Sequence, residues 1–149
     1  MIRKATQRDL SRIAEILVFV KRIKFRPIFQ DDDYSFGELQ VLDVVKRYDN
    51  PELLSCIYVY DDSGIVKGFI HVDSTEIVTL YVDDFFQGQG IGSKLIRFAL
   101  EGTGATFLWA LEKNEGAIRF YERHGFRVTG ERKLEEGTTE YLVKMERTE

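Results

Sequence analysis

Seven residues, Gln87-Gly88-Gln89-Gly90-Ile91-Gly92-Ser93, limit what this chain can fold into more than any other stretch. They stand between an apolar run, Ile77-Val78-Thr79-Leu80-Tyr81-Val82, that reads as a strand, and an amphipathic run from Ile91 that reads as a helix. Three glycines at such a junction let several backbone N–H groups gather at the positive end of the helix, with few side chains in the way. That surface suits a phosphate or pyrophosphate. The spacing excludes a P-loop, which needs four residues between its glycines and a Lys directly after the second. Here Gly88 and Gly92 enclose three, and Ser93 separates Gly92 from Lys94. A dinucleotide fingerprint needs a third glycine where Ser93 stands, and a closer approach to the strand than Asp83-Asp84-Phe85-Phe86 permits. Glu112 lies near the distance expected of a ribose-binding acid, which keeps that reading as a minor alternative.

Apolar periodicity and turn chemistry give the rest of the plan. Thr6-x-x-Asp9 has the form of a helix-start capping box, and Leu10, Ile13, Ala14, Leu17 and Val18 follow at helical spacing. Pro27 is expected to interrupt any continuing helix. Ser35-x-x-Glu38 offers a second start, with Asn50-Pro51 as the stop. Residues 54–60 and 65–72 read as strands around Asp61-Asp62-Ser63-Gly64, and 77–82 as a third. After the glycine loop come a helix presenting Ile91, Leu95, Ile96 and Ala99, a strand at 105–111, and a helix at 115–124 closed by Gly125. Two strands, 126–131 and 140–145, flank Glu136-Gly137. The expected order is β-α-α-β-β-β-α-β-α-β-β, an α/β plan over one domain, residues 1–149.

Gln87-x-x-Gly90-x-Gly92 resembles Gln/Arg-x-x-Gly-x-Gly/Ala, the acetyl-CoA pyrophosphate loop of the GNAT superfamily of N-acetyltransferases. A second motif follows in the family's order: Leu108-Trp109-Ala110-Leu111-Glu112-Lys113-Asn114, then Ala117, Phe120-Tyr121 and His124-Gly125-Phe126. The resemblance is strong from Glu76 to about Val128 and only general before that. It implies a single-domain GNAT fold with a central mixed, mostly antiparallel twisted sheet flanked by helices, and acetyl-CoA as co-substrate. It places pantetheine along Leu80, Tyr81 and Val82, paired like an added strand, and the pyrophosphate on Gln87 through Ser93, which takes in Gly88, Gln89, Gly90, Ile91 and Gly92. Asn114, Ala117, Phe120 and Tyr121 complete the implied cofactor site.

Transfer of an acetyl group to an amine demands a held cofactor, a polarised carbonyl, and protons moved off nitrogen and onto sulfur. The resemblance sets the Leu80 N–H against the thioester oxygen, in the manner of an oxyanion-hole donor, whose loss can cost roughly 10²–10³ in rate. It also sets Tyr121 against the sulfur, where a phenol can protonate the departing thiolate. A lysine-like amine has a pKa of about 10.4, so a base must take its proton. Glu76 opens the strand leading to Leu80 and is the base candidate by resemblance. Asp73, His71 and Asp43 are weaker ones. The bland readings stand alongside: Glu76 as a solvated acid, Tyr121 as a packing aromatic, Asn114 as a plain helix cap. Asp31-Asp32-Asp33 and Asp83-Asp84 are acidic clusters, read first as solvated loops. The former, with Phe25, Phe29, Tyr34 and Phe36, could also attract and line the way for a cationic amine.

Composition excludes several other classes. A net charge of −4 argues against a general nucleic-acid binder. Cys56 is the single cysteine, so no intrachain disulfide exists; it is expected buried within the apolar run 53–59. Two isolated histidines and no zinc-type spacing argue against a metal. No apolar run approaches the roughly 20 residues that span a bilayer, and Met1-Ile2-Arg3-Lys4-Ala5-Thr6 lacks a signal-peptide core. The expectation is a cytoplasmic enzyme, acting directly in a ternary complex on a small-molecule or protein amine. Small members of the family often form homodimers. The alternative is a CoA-binding sensor or scaffold of the same fold.

Overall fold

The computed structural model describes residues 1–147, so the last two residues of the expected domain, Thr148 and Glu149, lie outside the described residues. Seven strands form one sheet in the order β1-β2-β3-β4-β5-β7-β6: β1 (Ile2–Lys4), β2 (Ile57–Asp62), β3 (Ile65–Asp73), β4 (Glu76–Val82), β5 (Phe107–Leu111), β6 (Phe126–Leu134) and β7 (Tyr141–Arg147). Only β4–β5 is a parallel pair; the others are antiparallel. This arrangement overturns the dinucleotide reading, which requires a doubly wound parallel sheet. Glu112 instead pairs with Arg132 at 3.0 Å.

Two helical layers cover the sheet. On one face α1 (Leu10–Phe29) and α2 (Val41–Tyr48) bury Ile13, Leu17 and Val44 against Ile57, Val59 and Phe69. On the other, α4 (Ile91–Gly102) buries Ile91, Leu95, Ile96 and Ala99 with Leu108, Phe126 and Met145. The amphipathic faces read from the sequence are the faces that pack.

The entry to α1 is held tightly. Asp9 accepts the Thr6 N–H at 2.8 Å and two guanidinium bonds from Arg3 at 2.8 and 3.0 Å, while Arg3 Nε also reaches Asp61 at 3.0 Å. Burial alone would raise the Asp9 carboxyl, but the bonds from Arg3 and Thr6 outweigh it and hold the group below its ordinary value.

Strands β5, β6 and β7 shift by one to three residues from the expected bounds, and four other departures have a local physical reason. Helix α1 continues through Pro27 to Phe29, closing at Gln30 (φ 52). The bond that proline forfeits belongs to the carbonyl of Ile23, an exposed residue, where water can replace it. Ser35-x-x-Glu38 does not start α2: residues 33–38 form a π-type turn, and α2 begins at Val41. Asn50-Pro51 follows the end of α2 but also starts α3 (Pro51–Leu54), with Asn50 Oδ1 accepting from Glu52 and Leu53 N–H. Strand β2 therefore begins at Ile57, and Cys56 is a half-buried turn residue, not a buried strand residue.

Candidate active site

The site follows from one irregularity in β4. Along β3, Val72 pairs with Ile77 and His71 with Thr79, so Val78 is an extra residue opposite a single step. Such a bulge bends its strand and shifts the side-chain alternation. Thr79 and Tyr81 then face the α1/α2 layer, where Tyr81 packs with the first core, while Ile77, Leu80 and Val82 pack with the second. The bulge also ends the pairing with β5, which comprises only Glu76↔Phe107 and Ile77↔Leu108. Beyond it the two strands diverge, and a cavity of about 730 Å³ opens between 77–82 and 108–111.

One end of the cavity is the glycine loop. Asp83 caps the turn at 84–86 through Phe85 N–H, and Gln87 Nε2 bonds the Val82 carbonyl at 3.2 Å, tying the loop to the strand end. Gly88 and Gly90 both have φ of +79°, a left-handed conformation that side chains resist. Gly90 precedes α4, whose first-turn N–H groups lack intrahelical acceptors. Gly92 lies so close to α5 (Glu115–Arg123) that an added Cβ would meet Phe120 Cζ at 3.4 Å. Ser93 Oγ is 3.1 Å from His124 Nε2. Burial, then Arg97 and Arg123, lower the basicity of that imidazole, so the guanidiniums lie within electrostatic reach of the same spot. The loop joins open N–H groups, cations and a glycine floor, a donor set that fits a pyrophosphate.

The middle of the cavity is apolar and half-enclosed. Asn114 caps α5 by accepting Ala117 N–H at 3.3 Å, so its carbonyl is spent on the helix and its amide N–H₂ remains to donate. Ala117, Phe120 and Tyr121 line the wall opposite Leu80 and Val82. Tyr121 packs against Phe120 at 5.3 Å and Phe126 at 5.9 Å, and burial pushes its phenol upward, so it stays protonated. The β4 edge beyond Ile77 has no strand partner, which fits an amide-bearing arm.

The far end lies on the α1/α2 face. Phe25, Lys21 and Lys24 come from α1, Arg47 and Tyr48 from α2, and Glu135 from the β6–β7 hairpin. Tyr81 stands between Phe25 and Phe69, with ring centroids 6.4 and 5.9 Å away, and burial pushes its phenol well up.

Of the residues expected at the cofactor, Leu80, Tyr81, Val82, Gln87, Gly88, Gly90, Ile91, Gly92, Ser93, Asn114, Ala117, Phe120 and Tyr121 share this cavity; Gln89, on the loop's exposed outer side, does not line it. Glu76 does not line it either. It sits at the closed foot of β4, opposite Asp73 and Phe107, four residues or about 13 Å along the strand from Leu80. Asp43, Asp73 and His71 are likewise absent from the wall. The acidic run 31–33 is exposed and spent locally, Asp32 on Arg26 at 2.7 Å and Asp31 on Tyr34 N–H at 3.2 Å. Of the four aromatics expected near the acceptor, Phe25 alone reaches the wall; Phe29 and Tyr34 meet edge to face, and Phe36 is half exposed beside Arg22. Sequence reasoning missed Lys21, Lys24, Arg47 and Glu135. The one available signal was the Lys21/Lys24 spacing, which puts two cations on one helix face.

Among the described residues no helix is long and apolar enough to cross a membrane, and no group of three or more His, Cys, Asp or Glu is gathered to hold a metal.

The comparisons agree with this geometry. Residues 54–128 match the model of the acetyltransferase (GNAT) domain. An uncharacterized N-acetyltransferase of Methanocaldococcus jannaschii is 45% identical over 74 residues, 46% of this chain and 33% of that protein. The peptidyl-lysine N-acetyltransferase YjaB of Salmonella typhimurium is 32% identical over 86 residues, 58% of this chain and 59% of that protein. The chain thus spans well under two thirds of these curated relatives. Among solved structures, apo YjaB of Escherichia coli superposes with a TM-score of 0.81 at 21% identity, covering 99% and 97% of the two chains. A PaiA N-acetyltransferase of Thermoplasma acidophilum in complex with coenzyme A gives 0.73 at 18% identity, covering 98% of each. The matched model runs from the end of α3 into β6, through the bulge, the glycine loop and Tyr121, and the chain belongs to the GNAT acetyltransferase family.

Proposed function

We propose that this protein transfers an acetyl group from acetyl-CoA to a primary amine by direct attack within a ternary complex. The observation that carries the reading is the cavity between β4 and β5, which unites an anion-binding glycine loop, an unpaired strand edge and the Tyr121 phenol. Acetyl-CoA supplies a thioester whose carbonyl carbon forms the new C–N bond as the C–S bond breaks. Residues 87–93 hold the pyrophosphate, with Gln89 contributing backbone only. Leu80 N–H faces the thioester oxygen, and Asn114 donates its amide to the pantetheine arm.

Tyr121 protonates the leaving sulfur. A phenol raised by burial is a weaker acid than a thiol of pKa about 8.5, so the transfer is downhill only if Tyr121 regains a proton in the same step. The amine loses one as it attacks, and a short relay from nitrogen to Tyr121 balances the exchange. Any remaining proton leaves toward Glu76, which at its distance acts through water.

The test is release of thiol from acetyl-CoA across a panel of amines, with the acetylated product identified by mass. No thiol release from any amine, alongside tight CoA binding, would instead favour a binding protein. Glu76→Gln should show a rate defect that shrinks as pH rises and more amine is neutral. A pH-independent defect removes Glu76 from the role and leaves Glu135, on the cavity wall itself.

A further inference from the structure

The far end of the cavity carries three cations and one carboxylate. Lys21 and Lys24 project from α1 and Arg47 from α2, while Glu135 is the only carboxylate on the wall among the described residues. Elsewhere in the molecule Arg3, Arg12, Arg26, Lys67, Lys113, Arg132 and Lys144 each pair with a carboxylate. Among the described residues Lys21, Lys24 and Arg47 have no ion pair within 4.0 Å, and the Arg47 guanidinium rests over the Tyr48 ring at 5.4 Å. Lys21 is half-buried, whereas Lys24 and Arg47 are exposed; a half-buried ammonium without a close ion pair is costly unless something arrives to neutralise it.

That arrival is not the cofactor's phosphate. Arg12, near the start of α1, pairs with Asp83 beside the glycine loop, and Lys21 is nine residues, about 13 Å, further along the helix. The three cations therefore face the acceptor.

Resting on the acetyl-transfer reading above, we infer that the acceptor is a small zwitterion, a primary amine bearing a carboxylate a few bonds away, as in a free amino acid. Its carboxylate lies between Lys21 and Arg47, and its amine at Glu135. A polyamine or the lysine of a peptide would bring its charge toward three like charges and one opposite charge. Consistently, burial lowers the basicity of Lys21 and Glu135 opposes that effect, which puts the two groups in reach of each other.

The experiment compares kcat/KM for free amino acids with the amides and methyl esters of the same amino acids, with simple diamines, and with a lysine peptide blocked at both ends. Free acids should exceed every other class by roughly 10-fold. Lys21→Met should shrink that margin to about 2-fold without changing the KM for acetyl-CoA, and Lys21→Arg should keep it. Melting temperatures within a few degrees of the parent's certify that the variants fold. Equal turnover of acids and amides, or a preference for diamines or the blocked peptide, overturns the inference and leaves acetyl transfer standing. Calorimetric binding of acetyl-CoA with no acceptor turned over overturns both; absence of binding overturns the cofactor site as well.

Discussion

The two ends of the cavity present different kinds of surface. At the glycine loop the backbone does the work: Gly88 and Gly90 hold left-handed conformations, Gly92 makes room beside Phe120, and the N–H groups of α4 face outward. At the far end the backbone is ordinary, and the wall is built of side chains from α1, α2 and the β6–β7 hairpin. Backbone recognition imposes a glycine spacing within a few adjacent residues. Side-chain recognition is assembled from residues far apart in the chain. The first should tolerate almost no substitution; the second should be tunable without loss of cofactor.

The largest break expected is Gly92→Asp. Its Cβ would make ordinary contacts, 3.4 Å to Phe120 and 3.7 Å to Val82, so the fold should survive, while a carboxylate in the loop repels pyrophosphate. Acetyl-CoA affinity measured by calorimetry should fall on the order of 10²–10³-fold. Gly90→Asp mixes two effects, since φ of +79° adds about 1–2 kcal/mol of backbone strain to the same repulsion. A Gly92→Asp protein that binds normally would remove the backbone from the recognition.

Next comes Asp9→Ala at the entry to α1, which carries the two lysines of the cavity wall. It leaves Arg3 short of its bidentate partner and should cost about 2–4 kcal/mol in denaturant unfolding. Because the folded Asp9 carboxyl is held below its ordinary value of 3.8, its stabilisation is present above that pH and lost as pH falls through the folded value. Acid titration below about pH 3.8 should therefore destabilise the parent more than Asp9→Ala. Parallel acid profiles would show that Asp9 titrates alike in both states.

Tyr121→Phe keeps the ring against Phe120 and Phe126 and removes the proposed proton donor. With an acceptor in hand, kcat should fall about 10–10²-fold while acetyl-CoA affinity holds. An unchanged kcat, with chemistry shown to be rate-limiting, would make Tyr121 a packing residue. The smallest effect is electrostatic. Arg97 is exposed near the loop, so raising salt from about 0.05 to about 0.5 M should weaken acetyl-CoA binding several-fold, and Arg97→Ala should flatten that dependence.

Much of the fold was legible because its elements carry their own signals. The faces of α1 and α4, the β2–β3 turn and the Gly125 cap all follow from local periodicity or a single conformational requirement. Boundaries failed where two signals competed. Asn50-Pro51 is both a stop and a start, and Pro27 forfeits a bond that solvent restores. The bulge at Val78 was invisible, since a strand with one extra residue reads as apolar alternation either way. On the cavity wall, Tyr121 and the glycine loop are residues that a motif already singles out. Lys21 and Glu135 lie 114 positions apart, and only the fold brings both to one cavity wall. The acidic run 31–33 stood out in the sequence because it is solvated, and for the same reason it lies off the wall.

The β4–β5 junction has a mechanical consequence. Two register pairs are all the ladder that joins the leaf β1–β4 to the leaf β5–β7, so the sheet is hinged at Ile77 and Leu108. A ligand bonded to the β4 edge on one side and to α5 on the other spans the hinge and acts as a clasp. Amide hydrogens of β4 beyond Val78 should then exchange far more slowly when CoA is bound, and the stiffening should extend along β7 beyond Leu142, its one residue on the cavity wall.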